Sequence, residues 1–226
     1  MSGVSVWRTL RSLGLTPQRP KHVAYQQNAE AVEVFLKKEY PAIKKAAKAC
    51  KASIYWGDES AIRSDYHSGT TWAKKGETPV IKSTGARFSV NMISAICGNG
   101  RMRFMVTEKN CTIPVFIDFL KRLIYKQKKP IFLIVDGHSV HKSKKVKEFV
   151  DSTKGKLKLF FLPGYSPELN PDETVWSYVK HHTVGKKTIT GPKQFKKIVL
   201  SALFSLLHKP NIISAFFQKP SLQYIL

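Results

Sequence analysis

Three acidic residues in three short segments carry the chemistry that this sequence can offer: Asp58 in IYWGDES, Asp136 in IFLIVDGHSVH and Glu173 in LPGYSPELNPDETVW. The first two follow apolar, β-prone runs, and the third sits where Asn-Pro opens a helix, so a folded core can gather all three carboxylates. Clustered carboxylates are hard oxygen ligands suited to Mg2+ or Mn2+. Two such ions about 3.5 to 4 Å apart activate a water or hydroxyl and stabilise the leaving oxygen of an in-line displacement. Each residue also has a local alternative. Asp136-Gly137 is a turn pair, Asp58 could cap a turn, and Glu173, three residues after Asn170, could complete a capping arrangement with Pro171 at the first helical position.

The elements that must position these residues follow from periodicity. Residues 2–14 read as a helix with Val6, Leu10 and Leu13 on one face, followed by a proline-containing linker over 16–21. Helical spacing recurs over 28–40, and Pro41 starts a second helix through Cys50. Strands are expected over 53–56, 70–73, 88–97 and 103–106, the last two joined across Gly98-Asn99-Gly100. A helix over 113–127 precedes 131–135, five apolar residues that suit a strand buried on both faces. A helix over 143–150, a strand over 157–162 and helices over 171–182 and 195–207 complete the chain. This order is that of a ribonuclease H-like α/β fold, a mixed sheet with helices on both faces, preceded by a short helical segment. The expected division is a helical remnant and linker over 1–21, a helical connector over 22–51, the ribonuclease H-like domain over 52–185 and a helical extension over 186–226.

Composition narrows the partners. The 226 residues carry 38 Lys and Arg against 15 Asp and Glu, a formal charge of +23. Self-repulsion of that size is ordinarily offset by a polyanion, and nucleic acid comes before an anionic membrane surface. No segment reaches the roughly 20 apolar residues of a membrane span and residues 1–14 lack the apolar core of a signal peptide, so a cytoplasmic protein, nucleoid-associated if prokaryotic, is expected. Cys50, Cys97 and Cys111 lack CxxC spacing and read as reduced, buried thiols.

The motifs WGDES, TTWAKKGETPV, VDGHSVHKSKKVKEFV and LPGYSPELNPDETVWSYVK resemble the IS630 family of transposases, in the Tc1/mariner superfamily with its DDE catalytic domain. The resemblance spans about residues 52–182. It implies Asp58, Asp136 and Glu173 as the catalytic and metal-binding triad for two Mg2+ or Mn2+ ions, with 36 residues between the last two. The family places its third carboxylate at the second position after Asn-Pro, which selects Glu173 over Asp172. It also implies DNA as substrate, covering transposon ends and target, and a homodimer.

The remaining site residues flank that triad. His138 and His141 could contact phosphate or orient a metal-bound water, or cap the helix near Ser143. Lys142, Lys144 and Lys145 follow Asp136, and Lys180, Lys186 and Lys187 end the helix of Glu173; both clusters could track DNA backbone. Trp72, Lys74 and Lys75 are expected on a β-hairpin beside the substrate path. Glu59 reads as a supporting residue rather than a ligand, Glu168 as a loop charge and Trp176 as a packing residue. SVWRTLRSLGLTPQRP resembles a final recognition helix and its linker, without the scaffold helices that would seat it in a groove. Two other readings keep the same fold: a ribonuclease H-like nuclease without strand transfer, and a non-catalytic DNA-binding derivative of a transposase.

Overall fold

In the computed structural model, which describes residues 2–18, 24–66, 72–80 and 85–226, five strands form one mixed sheet. They are β1 (Ser53–Arg63), β2 (Ser89–Ile96), β3 (Met102–Thr107), β4 (Ile131–Val135) and β5 (Leu157–Phe161), in the order β3-β2-β1-β4-β5. The β1–β2 and β2–β3 pairs are antiparallel, and β1–β4 and β4–β5 are parallel. Every residue of β4 is buried, as its uninterrupted apolar run requires.

The first strand outruns its sequence signal. Apolar residues end at Trp56, yet β1 continues through Gly57, Asp58 and Glu59 to Arg63. The reason is non-local: β2 pairs with it from Trp56 opposite Ile96 to Arg63 opposite Ser89, which supplies the ladder that local β propensity does not.

Among the described residues eight α-helices accompany the sheet: α1 (Gly3–Ser12), α2 (Ala29–Val34), α3 (Tyr40–Ala49), α4 (Ile113–Ile124), α5 (Lys144–Ser152), α6 (Glu173–Tyr178), α7 (Pro192–Leu207) and α8 (Pro210–Ala215). Side chains alternate across a strand, so neighbouring residues of β1 feed different layers. Trp56 joins Ile134, Phe35, Trp176, Val199 and Leu203 on one face. Tyr55 joins Leu133, Phe116, Leu120 and Val146 on the other. The carboxy-terminal Phe216, Phe217 and Leu222 are buried in the first of these layers.

Pro41 does not separate two helices as its position predicts. A π-helical turn over Phe35–Glu39 joins α2 to α3, with the Tyr40 N–H donating to the Phe35 carbonyl. The wider turn accommodates a residue that has no N–H and crowds the carbonyl four positions back. Another π turn, Val179–Thr183, extends α6.

The β2–β3 turn is fixed by Gly100, whose φ of +82° and close approach to Pro210 leave no space for a side chain. The strand expected over 70–73 is not formed at Trp72 and Ala73, and residues 70 and 71 lie outside the described residues. Residues 72–80 form no strand and are all exposed, so the hairpin expected for Trp72, Lys74 and Lys75 is absent there. All three cysteines are free, but only Cys97 is buried as expected; Cys50 is exposed and Cys111 half-buried. Among the described residues no single helix is long and apolar enough to cross a membrane.

Candidate active site

Asp58 and Asp136 are brought level by the parallel pairing of β1 with β4. Trp56 lies opposite Ile134; two residues further on, β4 has ended while β1 continues. Asp136 therefore leaves the sheet beside Asp58. With Glu173, the first residue of α6, they line one cleft of about 390 Å³. His138 and Lys142 line the same cleft.

The amino-terminal end of α6 is tied to the sheet beneath Asp58. Asn170 donates through Nδ2 to the Gly57 carbonyl at 3.1 Å and accepts from the Asp172 N–H through Oδ1 at 3.1 Å. The Asp172 carboxylate is fully buried and accepts from Ser94 Oγ at 2.8 and 2.7 Å. Ser94 is itself the β2 partner of Asp58. This anchoring turns Asp172 into the core and leaves its neighbour Glu173 at the cleft. Asn170 supports the loop rather than capping α6, for which Asp172 is the N-cap residue without a side-chain bond.

Two other segments hold the YSPELN loop. Gln27 donates to the Tyr165 carbonyl, Ser166 Oγ and Glu168 Oε1 at 3.0, 3.1 and 2.8 Å. The Tyr224 hydroxyl donates to the Leu169 carbonyl at 2.6 Å. Glu168, read from sequence as a loop charge, thus accepts a specific bond.

The carboxylates differ in their electrostatics. Burial pushes the Asp58 carboxyl well above the ordinary range, reinforced by Glu173 and Glu59 and opposed by a 2.9 Å hydrogen bond from Trp176 Nε1 to Oδ2. Burial also raises Asp172 strongly, with Asp58 adding to it. Glu173 is exposed by area, yet the protein around it still raises its carboxyl through desolvation, with Lys180 pulling the other way. Asp136 behaves oppositely: desolvation acts upward, but bonds from His141 and the His138 N–H outweigh it and lower the carboxyl.

His141, read from sequence as a possible phosphate contact or helix cap, is buried at 2% exposure. Its Nδ1 lies 2.8 Å from Asp136 Oδ1 and its Nε2 3.2 Å from Glu59 Oε2, the latter off the line of a hydrogen bond. Burial alone would depress this imidazole, but Asp136, Cys111 and Glu59 together push it up to about 12. Neither histidine caps α5; Ser143 does so, accepting from the Val146 N–H.

The other basic residues lie at varied distances from the cleft. Lys142 is exposed at its rim. Lys180 donates to Ser60 Oγ at 2.9 Å. Lys144, Lys145, Lys186 and Lys187 are exposed, with Lys144 3.9 Å from Glu148. Trp72, Lys74 and Lys75 are exposed and do not line the cleft.

The profile described as DDE superfamily endonuclease matches residues 53–196, most of the chain, including the three cleft carboxylates. The chain belongs to the DDE superfamily of endonucleases. A winged helix-turn-helix profile matches residues 1–39. A curated relative, the insertion element IS630 uncharacterized 39 kDa protein of Shigella sonnei, is 29% identical over 148 residues. That stretch is 63% of this chain but only 42% of the relative's length. This relative carries the same family name as the motif resemblance, over a stretch shorter than half of its own length.

Solved structures agree at the level of fold. The Mos1 strand transfer complex superposes with a TM-score of 0.69 at 14% identity, covering 100% of this chain and 68% of that one. The Mos1 mariner paired end complex with Mn gives 0.65 at 14% identity, covering 99% and 71%. The Mos1 catalytic domain gives 0.51 at 11% identity, covering 88% and 97%. These similarities support the ribonuclease H-like reading of the DDE domain.

Sequence reasoning, which read Glu59 as a supporting residue without its partner, missed the supporting contacts: Trp176 on Asp58, Ser94 on Asp172, His141 between Asp136 and Glu59, and Gln27 and Tyr224 on the loop. The one available signal was strand alternation, which sends Asp58 and Glu59 to opposite faces once the strand is known to extend past Trp56.

Proposed function

We propose that this DDE domain cuts DNA phosphodiesters at the ends of a mobile element and transfers the resulting 3′ hydroxyl into target DNA. In this reading Asp58, Asp136 and Glu173 hold two Mg2+ or Mn2+ ions. The carrying observation is that carboxylates from β1, the end of β4 and the start of α6 line one cleft in a chain of charge +23.

The residues fit such ions. All three offer hard oxygen donors, and Asp58 and Glu173 have raised carboxyls partly through neighbouring negative charge, which a bound cation would relieve. When bound, divalent ions supply Lewis-acid activation of the attacking oxygen and neutralise charge on the leaving one.

The chain's own groups orient that chemistry. Trp176 fixes Asp58 Oδ2, and the His138 N–H and His141 fix Asp136 Oδ1. Asn170 and Asp172 hold the start of α6 so that Glu173 stays at the cleft. Lys142, at the rim, is placed to meet a backbone phosphate, while Lys144, Lys145, Lys186 and Lys187 would extend the electrostatic track. A homodimer that handles two ends together belongs to the same proposal, supported by the paired-end organisation named for the Mos1 complex.

Joining of pre-cleaved ends in Mg2+ or Mn2+ tests this reading, with Asp136→Ala alongside the unsubstituted protein. Metal-dependent joining should be abolished by the substitution while salt-sensitive DNA binding survives. Equal joining by both proteins would refute the assignment.

A further inference from the structure

Glu59 and His141 have no part in holding substrate in the reading above, yet they are built around one of its carboxylates. Glu59 follows Asp58 on β1 and therefore projects to the opposite face of the sheet. There the His141 ring packs on Phe116, with ring centroids 4.3 Å apart. Its side chain is completely buried; Nδ1 lies 3.2 Å from the Asp136 carbonyl, its hydrogen-bond partner, and 2.8 Å from Asp136 Oδ1, while Nε2 faces Glu59.

On Asp136 the contacts are one-sided. The His138 N–H at 3.0 Å and His141 Nδ1 at 2.8 Å both meet Oδ1. Among the described residues no hydrogen bond falls on Oδ2. A carboxylate gripped through one oxygen, at a cleft it helps to line, has its rotamer fixed and its other oxygen left for a ligand. Glu59, His141 and Asp136 also lie close enough together to suggest a cation site of their own. The imidazole, however, already lies between the two carboxylates, where it bridges them itself.

We infer that Glu59 and His141 are positioning residues for Asp136, a chain of contacts running through the sheet from its far face that presents Asp136 Oδ2 to a divalent cation in the cleft. The inference rests on the reading of Asp136 as a metal ligand. Partners that orient a metal ligand typically govern metal affinity or activity by about 10- to 100-fold.

The test is binding of Mn2+ to the full chain without DNA, followed by electron paramagnetic resonance of the free ion, for the unsubstituted protein and for Glu59→Gln, His141→Gln and Asp136→Asn. Thermal unfolding of each checks folding. Asp136→Asn should remove the binding, and Glu59→Gln and His141→Gln should weaken it about 10- to 100-fold. Glu59→Gln keeps the side chain's shape at a partly open position, so it remains informative should His141→Gln fail to fold. A lower unfolding midpoint with Mn2+ affinity unchanged in Glu59→Gln would reduce the pair to a structural role and overturn the inference, leaving Asp136 as a ligand. Undiminished Mn2+ binding by Asp136→Asn would overturn the ligand reading and the inference together.

Discussion

The two faces of β1 treat neighbouring carboxylates in opposite ways. On the face of α6, Asp58 and Asp172 are buried close to one another with only neutral donors, Trp176 and Ser94, and both carboxyls are pushed up. From the face of α4 and α5, His141 faces Glu59 and reaches Asp136 at the sheet's end, and Asp136 is held down. One side carries its own cationic partner. The other has no cationic side chain among these contacts, and a cation bound beside it would favour the charged forms of its carboxyls.

The sharpest way to break this contrast lies in the adjacent pair Asp172 and Glu173. Glu173→Gln should reduce strand cleavage on the order of 10³-fold, as expected when a group that stabilises transition-state charge is lost. Asp172→Asn, which keeps an acceptor for Ser94, should stay within about tenfold. Single-turnover cleavage of an end-containing duplex compares them, and equal losses would erase the distinction between cleft and core carboxylate.

Ser94→Ala probes the neutral donor. It removes the hydroxyl that serves both oxygens of a fully buried carboxyl and should cost about 1 to 3 kcal/mol in denaturant unfolding. Ser94→Ala combined with Asp172→Leu should recover much of that loss, because an apolar pair leaves no buried group unsatisfied.

The pH dependence sharpens the contrast further. Asp58 and Asp172 have folded-state values above their unfolded ones, so the stability linked to their protonated forms is complete below the unfolded value, about 3.9, and is lost as pH rises through the raised folded values. Without divalent cation, the unfolding midpoint contributed by this face should fall as pH is raised from about 4 toward 7. Mn2+ should recover it chiefly at the upper end. Asp58→Asn should flatten the fall, and Glu59→Gln should preserve it.

The smallest effect is expected at the loop. Tyr224→Phe deletes one hydroxyl donor to the Leu169 carbonyl and keeps the packing on Trp56 and Tyr40, so about 1 kcal/mol of stability should be lost. Unchanged stability would show that the carboxy-terminal segment holds the YSPELN loop by packing alone.

Most of the fold was legible because its signals are local. The five apolar residues of β4, the Gly98-Asn99-Gly100 turn and the 3.6-residue spacing of α4 each declare an element without reference to the rest of the chain. Failures occurred where a distant partner decided the outcome. β1 was cut short at Trp56 because the β2 ladder that extends it lies some thirty residues away in sequence. Pro41 was read as a boundary because its cost is local, whereas the π turn that absorbs it is sustained by Phe35 and Tyr40 in the core.

The sequence by itself determined the charge, the order of elements and the three segments that bring acidic residues to the site, since these depend on residue type and short-range periodicity. The motif resemblance had selected Asp58 over Glu59 and Glu173 over Asp172, but only the tertiary structure decided where the unselected members go, Glu59 to His141 and Asp172 to Ser94. It also decided that His141 is a buried bridge. Alternation along a strand separates two neighbours but does not say which layer each will meet; that choice belongs to Trp176, Ser94 and Phe116, residues the chain brings there only when it folds.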